Sequence, residues 1–169
     1  MFQHIHFIFD ELKRRQCFLV TAESLTGGLI AQHITAIPGA SAVFCWVTYS
    51  AQAKQQLLNV PPDVLEQYGV VSIETAKSMA QGALALASTG SEHSCYAIAV
   101  TGLAGPAGGS PELPVGTVCI ACAGNEGSPQ LCAEKYLFHG TRDSIREQTY
   151  TAVMQLLLTQ LEKAASTRA

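Results

Sequence analysis

The sequence has 169 residues, of which 48% are hydrophobic and only 14% are charged, and its formal net charge is −3. This length and low charge fraction predict a globular chain with a well-filled core and argue against disorder. The acidic balance does not fit a nucleic-acid-binding surface, and no apolar run is long enough to span a membrane. We therefore expect a single domain over residues 1–169, with neither a nucleic-acid nor a membrane partner.

Predicted helices alternate with predicted strands in the first half of the chain. Apolar residues at helical spacing, Ile5, Phe9 and Leu12, predict an amphipathic helix over residues 3–15. The elements that follow are a buried strand at 17–22, a helix from Thr26-Gly27-Gly28 to about Ala36, a strand at 43–50, a helix at 51–58, a short helix from Pro61 to Tyr68, and a helix capped by Ser72 that ends near Ala87.

The second half of the chain is predicted to contain a hairpin. A third apolar strand at 95–101 precedes a glycine- and proline-rich loop at 102–114, and two longer strands at 115–123 and 130–138 follow. A last helix at 142–163 has one apolar side, formed by Ile145, Thr149, Val153, Leu156, Leu157 and Leu161. This order predicts an α/β fold, a three-layer α/β/α sandwich with a mixed, mostly parallel sheet.

Polar segments follow three of the predicted strands. These segments are residues 23–28, Tyr49-Ser50 and the loop 102–114. In parallel sheets ligands gather at the carboxyl ends of the strands. We therefore expect the three segments to converge on one site.

The first of these segments contains a candidate nucleophile, Ser24, within TAESLTGG. Thr26, Gly27 and Gly28 open the next helix, whose unpaired N–H groups would suit a phosphate or a developing oxyanion. The alternative is that Ser24 or Thr26 only caps this helix and that the glycines pack against a strand.

The second segment contains a candidate base, Lys54, five residues after Tyr49. A lysine near a serine can accept its proton if partial burial lowers the lysine pKa. Tyr49 could relay the proton or hold the hydroxyl. The alternatives are that Lys54 is an ordinary solvated helix residue and that Tyr49 is a core residue with its hydroxyl at the rim.

The loop at 101–117 is dense in glycine and proline, which predicts a rigid segment that a ligand can approach closely. Gly105, Gly108 and Gly109 are its candidate binding residues. Neither the P-loop pattern nor a G-x-G-x-x-G helix start is present. A surface Ω-loop is the alternative interpretation.

Two arginines lie four residues apart at the start of the last helix. Arg142 and Arg146 therefore share a face, and arginine pairs bidentately with phosphate or carboxylate groups. The alternative is a pair of surface salt bridges with Asp143 or Glu147.

The six cysteines are interpreted as reduced core residues of a cytoplasmic protein, because most lie in apolar, strand-like runs. Cys119 and Cys122 form a C-x-x-C on a predicted strand. Residues three apart on a strand face opposite sides, so we do not expect these two to share a metal. The five histidines form no metal-ligand pattern either.

Five segments, in one order, resemble a known family. They are TAESLTGGLIAQHITAIPGAS, VTYSAQAKQQLL, YGVVSIETAKSMAQGA, AVTGLAGPAGGSPELPVGTV and FHGTRDSIREQT. Together they resemble the C-terminal domain of the CinA family, from about residue 5 to residue 160. The resemblance implies hydrolysis of nicotinamide mononucleotide to nicotinate mononucleotide and ammonia, which feeds pyridine-nucleotide recycling.

The resemblance also assigns roles to residues. It implies that Ser24, Tyr49 and Lys54 are catalytic, and that an arginine near the last helix takes part, with Arg142 the best match and Arg146 the second. It further implies no metal and no cofactor, a cytoplasmic location, and a homodimer or higher homo-oligomer.

The sequence departs from the family pattern beside the proposed catalytic residues. The family's Y-S-N-E-A-K is Y-S-A-Q-A-K here, so that Ala51 replaces an asparagine and Gln52 a glutamate. The preceding stretch is about two residues shorter than usual and lacks a glycine near Trp46, and Leu25 stands where a cysteine is common. The alternative hypothesis is therefore a weak or inactive paralogue that acts as a nucleotide-binding or interaction module.

Overall fold

The computed structural model of the chain describes residues 2–48 and 51–166. The helices are α1 (Phe2–Arg15), α2 (Leu29–Thr35), α3 (Ala51–Gln56), α4 (Pro62–Tyr68), α5 (Ile73–Ser88) and α6 (Arg142–Ser166). The strands are β1 (Phe18–Glu23), β2 (Phe44–Thr48), β3 (Cys95–Gly102), β4 (Thr117–Gly124) and β5 (Gln130–Leu137). Each predicted helix and strand is present, and a 3-10 turn at Ala40–Ala42 was not predicted.

The strands form one five-stranded sheet in the order β2-β1-β3-β4-β5. β1 pairs in parallel with both β2 and β3, whereas β4 is antiparallel to β3 and to β5. β5 therefore runs in the same direction as β1, β2 and β3, and β4 is the reversed strand. The predicted mixed, mostly parallel sheet is confirmed.

Helices cover both faces of this sheet, which confirms the three-layer prediction. One apolar cluster joins the sheet to α1, α2 and α6, and it contains the predicted apolar side of α1. The predicted apolar side of α6 is also buried, including Thr149. A second cluster on the opposite face joins the sheet to α5 and to Leu58 and Val60.

The two cysteines of the C-x-x-C motif lie on opposite faces of β4, as predicted. Cys122 belongs to the cluster under α1 and α6, whereas Cys119 belongs to the cluster under α5. Cys95 and Cys132 are likewise free thiols, whereas Cys17 is buried in the core, with its Sγ 3.7 Å from the carbonyl oxygen of Arg15. The side chain of the sixth cysteine, Cys45, lies outside the described part of the structure.

The carboxyl ends of β2, β1 and β3 lie side by side because β1 pairs in parallel with both neighbours. The segment after β1 therefore begins between the carboxyl ends of β2 and β3. Tyr49-Ser50, the polar segment predicted after β2, lies outside the described residues. None of the helices within the described residues has the length and hydropathy needed to cross a bilayer.

Candidate functional site

Ser24 and Lys54 are anchored to consecutive residues at the carboxyl edge of the sheet. Ser24 directly follows β1, and its backbone N–H donates to the carbonyl oxygen of Val100 at 3.1 Å. Lys54 on α3 donates from Nζ to Oγ1 of Thr101 at 3.3 Å. α3 follows β2, and β1 lies between β2 and β3 in the sheet. The Lys54 amine contacts Thr101 of β3 and therefore lies at the edge where β1 ends. The structure thus brings the predicted nucleophile and base to one edge of the sheet.

Lys54 is buried, which excludes the alternative of a solvated helix residue. Only 4% of the residue is exposed. Burial lowers the pKa of the Lys54 amine, because the charged form loses its hydration. Within residues 2–48 and 51–166 no carboxylate forms an ion pair with this amine. Burial therefore shifts this amine toward the neutral form, which a general base requires.

Thr101 orients the Lys54 amine, a role that the sequence did not reveal. The Thr101 hydroxyl donates its own hydrogen to the carbonyl oxygen of Val70 at 2.6 Å. Its Oγ1 must therefore accept a hydrogen from Lys54 instead of donating one. The lone pair of a neutral Lys54 is then not used by Thr101 and can accept a proton from another group.

Glu23, the residue before Ser24, is a fully buried carboxylate that organises the turn. Its Oε2 accepts from the backbone N–H groups of Gly28 at 2.9 Å and Ile30 at 3.1 Å. Its Oε1 accepts from the N–H of Ala31 at 2.9 Å and from the Thr21 hydroxyl at 3.1 Å. A buried carboxylate at a helix start is stabilised by these donors and by the helix dipole.

The expectation that the start of α2 offers unpaired N–H groups to a ligand is therefore wrong. The Gly28 N–H is engaged by Glu23, and the Gly27 N–H donates to the carbonyl oxygen of Ser24 at 3.1 Å. Gly28 also has φ +96°, and a Cβ there would meet nothing within 4 Å. The positive φ angle, and not packing against a strand, is thus the reason that a glycine is needed at position 28. A substrate-binding role for Gly27 and Gly28 stays a prediction.

Thr26 presents the unsatisfied polar atom of this turn. Its side chain is fully buried, and its Oγ1 has no hydrogen-bond partner among the described residues. Buried hydroxyl groups normally have a partner, because an unpaired one loses its hydration without compensation. The Thr26 hydroxyl thus keeps unused hydrogen-bonding capacity at this turn, and its role in ligand binding stays a prediction.

Arg142 and Arg146 connect the start of α6 to the two glycine-rich segments. Nη1 of Arg142 donates to the carbonyl oxygen of Gly105 at 2.9 Å. Arg146 donates from Nε at 3.3 Å and from Nη2 at 2.8 Å to the carbonyl oxygen of Thr26. The two arginines thereby hold both loops against one helix end.

Surface salt bridges, the alternative interpretation of Arg142 and Arg146, do not explain the positions of the two arginines. Arg146 also lies 3.5 Å from Asp143, but that carboxylate side chain is 88% exposed, and such pairs contribute little to stability. Glu147 lies beside a different side chain, with its Oε2 3.7 Å from Nε2 of His33. Arg142 forms no ion pair with any described residue.

Two glycines of the loop after β3, Gly105 and Gly109, are required by packing within that loop. A Cβ on Gly105, whose φ is +72°, would lie 2.6 Å from Cγ1 of Val115. A Cβ on Gly109 would lie 2.8 Å from the backbone nitrogen of the same valine. A turn between Ser110 and Leu113 closes the loop further. The loop is thus internally braced, and the ligand contacts predicted for Gly105, Gly108 and Gly109 stay predictions.

Tyr49, the third predicted catalytic residue, lies outside the described residues, as does Ser50. Its proposed role in proton transfer therefore rests on the sequence. Gln52, one of the departures from the family pattern, is exposed, whereas Leu25 is buried in the core. Among the residues that the structure describes, no cluster of three or more metal-ligating side chains occurs.

The model of the CinA C-terminal domain family matches residues 2–161. A CinA-like protein of Geobacter metallireducens is 52% identical over 141 residues, which are 82% of this chain and 32% of that protein. A CinA-like protein of Myxococcus xanthus is 42% identical over 162 residues, which are 95% of this chain and 37% of that protein. The chain thus spans about a third of the length of these curated relatives.

Solved structures of similar length share this fold. A competence/damage-inducible protein of Agrobacterium tumefaciens is 36% identical with a TM-score of 0.85, over 95% of this chain and 94% of that one. A CinA superfamily protein of Klebsiella pneumoniae is 30% identical with a TM-score of 0.83, over 98% of both chains. By its sequence over nearly its whole length and by its fold, the chain belongs to the CinA C-terminal domain family.

Proposed function

We propose that this chain hydrolyses the carboxamide of nicotinamide mononucleotide to give nicotinate mononucleotide and ammonia. The observation that carries the proposal is the buried Lys54 amine. It is held by Thr101, has no described carboxylate partner, and lies at the sheet edge where Ser24 follows β1. A serine beside a desolvated lysine is a recurrent arrangement for acyl transfer.

In the proposed reaction the neutral Lys54 amine removes the Ser24 proton as Oγ attacks the carboxamide carbon. The resulting tetrahedral intermediate collapses, and the C–N bond breaks as the amide nitrogen takes a proton from Lys54 and leaves as ammonia. Water then attacks the ester carbon, with Lys54 again as the base. The C–O bond to Ser24 breaks, Oγ of Ser24 takes the proton back from Lys54, and the nicotinate product leaves as its carboxylate after losing a proton to water. Tyr49 is proposed to assist the proton transfers.

Stabilisation of the oxyanion requires donors other than the first N–H groups of α2. Those of Gly27 and Gly28 are engaged by Ser24 and Glu23. The Thr26 hydroxyl is our candidate donor, because it is buried at the same turn and lacks a described partner.

The first test is product analysis with the unmodified protein. We expect equal amounts of ammonia and nicotinate mononucleotide to form from nicotinamide mononucleotide, measured by a coupled ammonia assay and by chromatography. Ammonia formation must scale with protein concentration and must not occur with boiled protein. Binding of nicotinate mononucleotide in calorimetry without ammonia release would favour a non-catalytic nucleotide-binding module, the alternative that Ala51 and Gln52 motivate.

Arg142 is the proposed phosphate ligand. Arg142 is exposed, and its Nη1 donates to Gly105, so the other edge of its guanidinium is left for an anion. Arg146 donates two hydrogen bonds to the carbonyl oxygen of Thr26 and serves to position the turn. We expect Arg142→Ala to raise KM for nicotinamide mononucleotide about tenfold or more with a smaller change in kcat. We also expect it to leave the weaker hydrolysis of the unphosphorylated riboside nearly unchanged.

Steady-state kinetics with the two substrates measure this difference, and Arg142→Lys is the matched control that keeps the charge. An equal loss on both substrates would contradict the phosphate assignment. It would indicate that Arg142 acts only by holding the loop at Gly105.

A further inference from the structure

Two cysteines face each other across the last two strands of the sheet. Cys122 on β4 and Cys132 on β5 are directly opposed partners in the antiparallel register. Both are free thiols, and Sγ of Cys132 lies 3.7 Å from the carbonyl oxygen of Cys122. Both side chains lie on the face covered by α6. The ladder thus places two thiols side by side, far along the chain from the Ser24 turn.

The opposed positions fit the geometry of a disulfide. Directly opposed residues of an antiparallel pair have Cα atoms about 4.5 to 5.5 Å apart. Disulfides join Cα atoms about 4.4 to 6.8 Å apart. The other cysteine of β4 is opposed by Lys135 and faces the opposite side of the sheet. Closing a bond between Cys122 and Cys132 therefore requires no change of strand register.

The two thiols differ in exposure and in the direction of their pKa shifts, so that one is the more reactive. Cys132 is half-buried on the edge strand, whereas Cys122 is 1% exposed. A hydrogen bond from Cys122 and the positive charge of Lys163 lower the pKa of the Cys132 thiol. The hydrogen bond to Cys132 and full burial raise the pKa of Cys122 well above its ordinary value. Cys132 is thus the accessible thiol with the greater thiolate character, and Cys122 is the protonated neighbour.

We propose that Cys122 and Cys132 form a peroxide-sensitive dithiol that closes reversibly to a disulfide between β4 and β5. In the first step the Cys132 thiolate attacks one oxygen of hydrogen peroxide, the O–O bond breaks, and a sulfenic acid and hydroxide form. In the second step the Cys122 sulfur attacks the Cys132 sulfur. Its proton and the sulfenic hydroxyl leave as water, so that two thiols and one peroxide give one disulfide and two waters.

Peptide mapping after oxidation tests this assignment. The full chain is treated with hydrogen peroxide, remaining thiols are alkylated, and the unreduced protein is denatured and cut after glutamate. Cleavage after Glu112, Glu126 and Glu134 separates peptide 113–126 from peptide 127–134. We expect these peptides to be linked, with a mass two hydrogens below their sum. Dithiothreitol should separate them.

Three variants identify the bond. Cys119→Ser should keep the linked peptides, because Cys119 lies on the other face, whereas Cys122→Ser and Cys132→Ser should each abolish them. Cys132→Ser is the more informative variant, since its half-buried site tolerates a hydroxyl better than the interior does. Thermal melting of each variant checks that it is folded.

Alkylation rates give a second measurement on the unoxidised protein. Cys132 should react with iodoacetamide at least tenfold faster than Cys119 at neutral pH. The proposal is overturned if peroxide converts Cys132 to sulfinic acid without a linked peptide. It is also overturned if Cys119→Ser removes the linkage or if the linkage joins two molecules.

Discussion

Replacing Ser24 by alanine, or Lys54 by methionine, is expected to lower kcat/KM for nicotinamide mononucleotide by about 10³-fold or more, and the double variant is expected to be no worse than either. The reason is that a nucleophile and its base act as one unit, so removal of either one disables both. Methionine keeps much of the apolar stem that fills the buried site of Lys54. Ammonia release measures the effect.

Lys13→Met is the matched control for this series, because Lys13 is exposed on α1 and remote from the carboxyl edge. It should have unchanged kinetics. Additive losses in the double variant, or near-normal turnover in Lys54→Met, would contradict the proposed mechanism.

The pH dependence follows from the same lysine. Burial lowers the pKa of Lys54 from the ordinary value of 10.5, and the active form of a general base is the free amine. We therefore expect kcat/KM to rise with pH through the pKa of Lys54 and to level off below pH 10.5, with activity lost on acidification. The measurement is a profile of kcat/KM against pH from pH 6 to about pH 10.

Thr101→Val provides a control for this assignment. It removes the acceptor that stabilises the ammonium form of Lys54, so the rise in activity should move to lower pH. A profile that is flat from pH 6 to about pH 10, or a rise whose midpoint Thr101→Val does not move, would contradict the assignment of this titration to Lys54.

Glu23→Ala is expected to lower the free energy of unfolding by about 3 to 5 kcal/mol. The substitution removes the acceptor of three backbone N–H groups at the start of α2 and of the Thr21 hydroxyl, all in a buried region. Urea denaturation measures the loss. Glu92→Ala, at an exposed glutamate, should change the same free energy by less than about 0.5 kcal/mol.

If the alanine variant does not fold, Glu23→Gln distinguishes the effect of Glu23 on stability from its effect on kcat. Glutamine keeps the side-chain volume and one acceptor oxygen, but its amide nitrogen would face backbone donors. We expect a smaller loss of stability together with a clear fall in kcat, because Ser24 directly follows the substituted residue. Stability of Glu23→Ala equal to that of Glu92→Ala would contradict the role that we assign to this carboxylate.

Local patterns in the sequence were sufficient to predict the architecture. The 3.6-residue spacing in α1 and α6, the apolar runs of the strands and the punctuation by glycine and proline each involve residues close along the chain. The alternation of these elements then predicted the α/β/α sandwich and the shared edge at which β1, β2 and β3 end. The opposite facing of Cys119 and Cys122 followed from strand geometry alone.

The tertiary structure decided which polar groups are engaged with one another. The sequence indicated that Gly28 opens a helix, but it did not indicate that the Glu23 carboxylate takes the N–H groups there. It gave no sign that Thr101 would receive Lys54 or that Cys132 would face Cys122. Such pairings join residues far apart in the chain, and they depend on strand register and on burial, which no local periodicity encodes. The sequence by itself thus determined the elements, the family and the edge of the site, whereas the fold decided the hydrogen-bond partners and the protonation preferences.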